Sequence, residues 1–64
     1  MTQKIERITV ELTIFQAEEL AQFVKRVTWS EVRQNATGDD EADQMIQALG
    51  QVQKALGEAG YAPR

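Results

Sequence analysis

Four acidic residues close together in the chain have the most evident capacity for chemistry: Asp39, Asp40, Glu41 and Asp43. Carboxylate oxygens are the ligands that Ca²⁺ and Mg²⁺ prefer, but this spacing is not that of an EF-hand loop. Acids in the first turn of a helix are also stabilised by the helix dipole, and an acidic surface attracts a basic protein. We therefore expect no metal site and assign the four residues to partner binding.

The rest of the composition argues against catalysis. The sequence has no His, no Cys and no glycine-rich phosphate loop. The usual general base, the thiolate nucleophile and the nitrogen and sulfur metal ligands are therefore missing. A core built from 64 residues also has little room for a pocket of typical volume. We expect a non-enzymatic protein without a cofactor.

Length and charge narrow the class of partner. A chain of 64 residues buries only about 60% of the surface that it exposes when unfolded, which favours dimerisation. Acids and bases balance in residues 1–38, so the net charge of -3 resides in residues 39–64. Because Lys and Arg supply most non-specific DNA affinity, direct DNA binding is less expected than contact with a basic protein surface, such as a nucleic-acid-binding effector complex.

No segment suggests a membrane or a secretory route. The sequence has no apolar run long enough to cross a bilayer, and its N-terminus lacks the apolar core of a signal peptide. The absence of cysteine fits a reducing compartment. We expect a cytoplasmic protein, in the host cytoplasm if a phage encodes it, with no membrane partner.

Apolar and polar residues alternate near the N-terminus, in Arg-Ile-Thr-Val-Glu-Leu at residues 7–12. A period of two is typical of a half-buried strand, which we place at about residues 6–12. No later segment offers this strand a mate. It must pair with a second copy, pair with another protein or lie as an extended segment across the helices. We expect the first, with Ile8, Val10 and Leu12 at a homodimer interface.

Helical periodicity follows the strand, so the predicted fold is mainly α with one N-terminal β-strand, in the order β-α-α-α. The predicted helices lie within a single domain of residues 1–64 and cover about residues 14–27, 29–36 and 40–59. Thr13 with Gln16, and Thr28 with Glu31, have the form of a capping box, although Ser30 is an alternative cap for the second helix.

The third predicted helix carries a coiled-coil-like seam whose members step by four, three and four residues. They are Met45, Leu49, Val52 and Leu56. One short chain cannot cover both this seam and a strand edge, so we assign the seam to dimerisation too. Gly50 and Gly57 each cost about 1 kcal/mol in mid-helix. They serve either the close approach of another helix or no structural purpose.

Trp29 is the single tryptophan and lies near the joint between two predicted helices. Tryptophan at such a position commonly fills core. An exposed tryptophan beside Arg26 and Arg33 would instead anchor an interface, because Trp and Arg dominate interface energetics. Both interpretations stay open, and we include Trp29 among the partner-binding residues.

The order of strand and helices, with residues 7–12 leading into a capped helix and Ser-Glu-Val-Arg at residues 30–33, resembles the ribbon-helix-helix regulators. In that family, two N-terminal strands pair across a dimer and enter the major groove. The resemblance implies that Arg7, Thr9 and Glu11 face DNA. Glu11 and the acidic C-terminal half depart from the family's pattern, so a DNA-binding regulator is the alternative function.

The whole chain is also similar to a family of short, uncharacterised bacterial and prophage-associated proteins. The shared features are Gln-Ala-Glu-x-Leu-Ala-Gln-Phe-x-Lys-Arg-Val at residues 16–27, an acidic stretch, and the ending Glu-Ala-Gly-Tyr-Ala-Pro-Arg at residues 58–64. This resemblance carries no known activity but implies a mobile-element setting, in which small acidic proteins often block a host machine. We expect a protein–protein interaction module, most concretely an inhibitor of the anti-CRISPR type.

Overall fold

The fold is a three-helix arrangement, seen in a computed structural model that describes residues 4–62. The helices are α1 (Ile14–Arg26), α2 (Trp29–Gln34) and α3 (Asp39–Glu58). Both α1 and α2 pack on α3, which is the longest helix and the centre of the molecule. The molecule is flat, with principal extents of 33 × 28 × 15 Å.

The predicted β-strand at about residues 6–12 is wrong, and with it the fold class of mainly α with one strand. Residues 4–13 form neither helix nor strand, and the described part of the chain contains no sheet. A strand exists only where a second strand completes its hydrogen bonds, and residues 4–62 supply none. The paired-strand dimer inferred from this segment therefore loses its basis. We call residues 4–12 the arm.

Capping boxes begin the first two helices, as the sequence predicts. The Gln16 N–H donates to Thr13 Oγ1 at 3.1 Å, and the Thr13 N–H donates to Gln16 Oε1 at 2.9 Å. Thr28 and Glu31 make the same pair of bonds at 3.2 and 3.0 Å, so Thr28 and not Ser30 caps α2. Each cap satisfies backbone donors that have no partner within the helix.

The last helix ends in a Schellman motif. Gly60 has a φ of 97°, a conformation that glycine adopts without steric cost. The Gly60 N–H donates to the Gly57 carbonyl at 3.0 Å, and the Tyr61 N–H donates to the Leu56 carbonyl at 2.8 Å. This turn folds Tyr61 back against the core cluster of Leu56 and two α1 alanines. Pro63 and Arg64 lie outside the described residues.

The core is built almost entirely from small side chains. Its buried apolar members are Ala17, Ala21, Val24, Val32, Ala42 and Leu56. Small residues let α1 and α2 approach α3 closely, but each removes little apolar area from water. Nine large apolar side chains of the described residues consequently remain exposed, in the arm and on the helix surfaces.

Candidate functional site

The arm carries four exposed large apolar side chains, those of Ile5, Ile8, Val10 and Leu12. Its Ile8 side chain is 81% exposed and its Val10 side chain is 68% exposed. Ile14 and Phe15, directly after the arm, are also exposed. Several large exposed apolar side chains within one short segment indicate a candidate interaction site.

A cleft of about 680 Å³ separates the arm from the helices, and we call it the arm cleft. Its arm side is formed by Glu6, Ile8, Val10 and Leu12. Its helix side includes Ala17, Leu20, Ala48, Val52, Ala55, Leu56, Ala59 and Tyr61. Only the even-numbered residues of the segment 6–12 line the cleft. The period of two therefore identified the correct side of the arm, although it predicted the wrong kind of structure.

A second cleft, of about 450 Å³, lies between α2, the end of α1 and α3. It is lined mainly by apolar side chains, among them Phe23, Val27, Met45 and Leu49. Ala48 and Val52 line both clefts, so one apolar strip on α3 runs from the second cleft into the arm cleft.

The structure divides the predicted dimerisation residues between these two clefts. Ile8, Val10, Leu12, Val52 and Leu56 meet in the arm cleft. Met45 and Leu49 line the second cleft and are half-buried by the chain's own helices. The seam on α3 is thus covered in part within one chain, because α1 and α2 both pack on this helix.

Three alanines of α3 and its C-cap that line the arm cleft are absent from the predicted site residues. Ala48 and Ala55 line it from α3, Ala59 lines it from the C-cap of that helix, and Tyr61 lines it as well. The three alanines are spaced by seven and four residues, which places them on one helix face beside the seam. That spacing was the available signal, but alanine occurs so often in helices that it seldom indicates a surface.

The acidic residues lie at the exposed N-terminal end of α3, which begins at Asp39, and two of them have structural roles. We call these four residues the acidic turn. Asp39 accepts a hydrogen bond from Arg33 Nε at 2.8 Å. Glu41 accepts bonds from the Thr37 hydroxyl at 2.9 Å and the Thr37 N–H at 3.3 Å. Asp40 and Asp43 are exposed and line neither cleft.

Trp29 begins α2 and is 46% exposed, so it is not a core residue. Its indole also lines neither cleft. The predicted contact residues therefore do not form one site. Trp29 and the acidic turn lie outside the apolar strip that contains the predicted dimerisation residues.

Two further kinds of feature, a metal site and a membrane span, are absent from the residues that the structure describes. Among residues 4–62, no group of acidic side chains is arranged to hold a metal ion. Within the same residues, no helix has the length and apolar character needed to cross a membrane.

Comparison with protein families gives one match over the whole chain. The model of a family of unknown function, DUF7706, matches residues 1–64. No curated protein and no solved structure matches the chain.

Proposed function

We propose that this chain, which belongs to the DUF7706 family of unknown function, is a non-enzymatic protein–protein interaction module that acts as a homodimer in the cytoplasm. The observation that carries this proposal is a surplus of exposed surface. A folded monomer of this mass exposes about 4,100 Å², whereas this chain exposes 5628 Å². The surplus of about 1,500 Å² exceeds the roughly 800 Å² that each partner contributes to a typical interface.

The shape of the molecule supports the same proposal. Its radius of gyration is 12.9 Å, while a compact domain of this length has one of about 11 Å. A thickness of 15 Å leaves few positions that are covered from both sides. Such a chain gains stability from association, because binding removes apolar area that folding leaves in water.

The target that we propose is a basic protein surface, most concretely the nucleic-acid groove of an effector complex, which an anti-CRISPR-type inhibitor from a phage or other mobile element would block. Asp40 and Asp43 support this target because they are exposed at the positive end of α3 and belong to neither cleft. Opposite charges at an interface accelerate association and reject wrong partners.

The experiment compares two charge reversals of equal size. Asp40→Lys with Asp43→Lys alters the acidic turn and leaves the Arg33–Asp39 pair in place. The matched control, Glu11→Lys with Glu58→Lys, changes the net charge equally at exposed positions outside the turn. Both variants are first checked by circular dichroism, and their association with a purified CRISPR effector complex is then measured at two salt concentrations.

We expect the acidic-turn variant to associate at least about tenfold more slowly at low salt, and the control to stay close to wild type. Equal effects of the two variants would overturn the role of the acidic turn. Failure of the wild type to bind the effector would overturn the anti-CRISPR proposal. Tight, salt-sensitive binding of the wild type to free duplex DNA would instead support the alternative function, a DNA-binding regulator.

A further inference from the structure

We propose that the arm cleft is the site at which two copies of this chain meet, with Ile8 and Val10 of each copy packed into the cleft of the other. This inference rests on the proposed homodimer and names its surface. The contact consists of side chains, supplied by the arm of one copy and by α1 and α3 of the next.

The cleft is incomplete within one chain. Ile8 and Val10 point into it yet remain mostly exposed, because the arm stands away from the helices. On the opposite wall, Ala48, Ala55 and Ala59 are also exposed. Alanines on a helix face let another backbone approach closely. The wall therefore has room for the branched side chains of a second arm.

The low charge of the arm cleft favours a second copy of this chain as its occupant over a basic protein. Glu6 is the single charged residue among those that line the arm cleft. A lining with so little charge matches an apolar occupant, and each copy carries one in Ile8, Val10 and Leu12. The acidic first turn of α3 begins at Asp39, whereas the α3 residues of the cleft start at Ala48. Those acids lie about 8 Å or more further along the helix axis and stay available for another partner.

Exchange of this kind is self-complementary, since each copy offers both an arm and a cleft. When two copies exchange arms with each other, the contact has two-fold symmetry and leaves no cleft open for further addition.

Two pairs of matched variants test the proposal. In the arm, Val10→Asp places a charge in the cleft, and Thr9→Asp places the same charge on a neighbour that does not line it. On α3, Ala55→Glu places a charge in the cleft, and Gln53→Glu places the same charge at a position that does not line it. All four positions are exposed in the single chain, so none of these changes disturbs its core. Dimer dissociation is followed by sedimentation over a concentration series, with circular dichroism as a check on folding.

The wild type should sediment with twice the 7.2 kDa of one chain. Val10→Asp and Ala55→Glu should each weaken the dimer at least about tenfold, while Thr9→Asp and Gln53→Glu stay close to wild type. A dimer that resists both Val10→Asp and Ala55→Glu would overturn the arm cleft and leave the proposed homodimer intact. A wild type that remains monomeric throughout would overturn both, without bearing on the acidic turn.

Discussion

The arm and α1 are both amphipathic, but only α1 finds its cover within the chain. The apolar side of α1 packs on α3, and its Ala21 is 2% exposed. The apolar side of the arm faces a cleft, and its Val10 is 68% exposed. A hydrophobic pattern therefore indicates which side of a segment needs cover, but not which molecule provides it.

The difference has an energetic consequence. Burying a valine or isoleucine side chain stabilises a protein by about 1.5–3 kcal/mol. For the α1 residues, that gain is realised on folding. For Ile8 and Val10, it is realised only when the arm binds something. The two regions should therefore respond differently to the same kind of substitution.

The largest expected effect on the free energy of unfolding is at a core residue, which is buried within the chain. Leu56 is 8% exposed and lies in the core cluster with Ala17 and Ala21. Leu56→Ala should lower the free energy of unfolding by about 2–5 kcal/mol, because it removes buried methyl groups and leaves a cavity. The measurement is urea unfolding at a concentration at which the chain is monomeric.

Val10→Ala is the matched change in the arm. Under the same monomeric conditions it should alter the free energy of unfolding by less than about 0.5 kcal/mol, since it removes an exposed side chain. Comparable losses in the two variants would mean that the arm packs on its own helices, and the contrast between the regions would fail.

Substitutions at two glycines near the end of α3 should change stability by smaller amounts, and in opposite directions. Gly60→Ala forces alanine to adopt a φ of 97° and should destabilise the fold by about 1–2 kcal/mol. Gly57→Ala lies inside the helix, where an added Cβ would meet no atom within 4 Å, and should stabilise it by about 1 kcal/mol. Thermal melts of the two variants should move in opposite directions. Two shifts of the same sign would contradict the C-terminal geometry.

The smallest expected effect tests the boundary between the two regions. Thr13 caps α1 directly after the arm, and Thr13→Ala should lower the free energy of unfolding by about 1 kcal/mol. Thr9→Ala, within the arm, should leave it nearly unchanged. Equal losses on urea unfolding would show that ordered structure begins before Thr13.

Local signals were enough to predict the helices. Thr13 and Thr28 each precede a residue that can complete a capping box, and Gly60 follows the last periodic residue, so these ends depend on neighbours within a few positions. Burial of the seam was harder to assign. The burial of Leu56 depends on the packing of α1 on α3, and no local pattern in the sequence shows that packing.

The error in the fold arises where contacts distant in the sequence decide the structure. Alternation at Ile8 and Val10 predicts one-sided burial, and it does identify the residues that line the cleft. It does not distinguish a paired strand from an arm beside helices, because the period is the same in both. The hydrogen bonds that Asp39 and Glu41 accept were likewise not predicted, because they depend on where Arg33 and Thr37 lie.

The most direct test of the open arm cleft is an isotope-filtered nuclear Overhauser measurement on an equal mixture of labelled and unlabelled chains. Such a filter records contacts between different molecules and rejects those within one chain. We predict intermolecular contacts from the Val10 methyl groups to those of Val52 and Ala55. A dimer whose intermolecular contacts lie elsewhere, with none from Val10, would contradict the account.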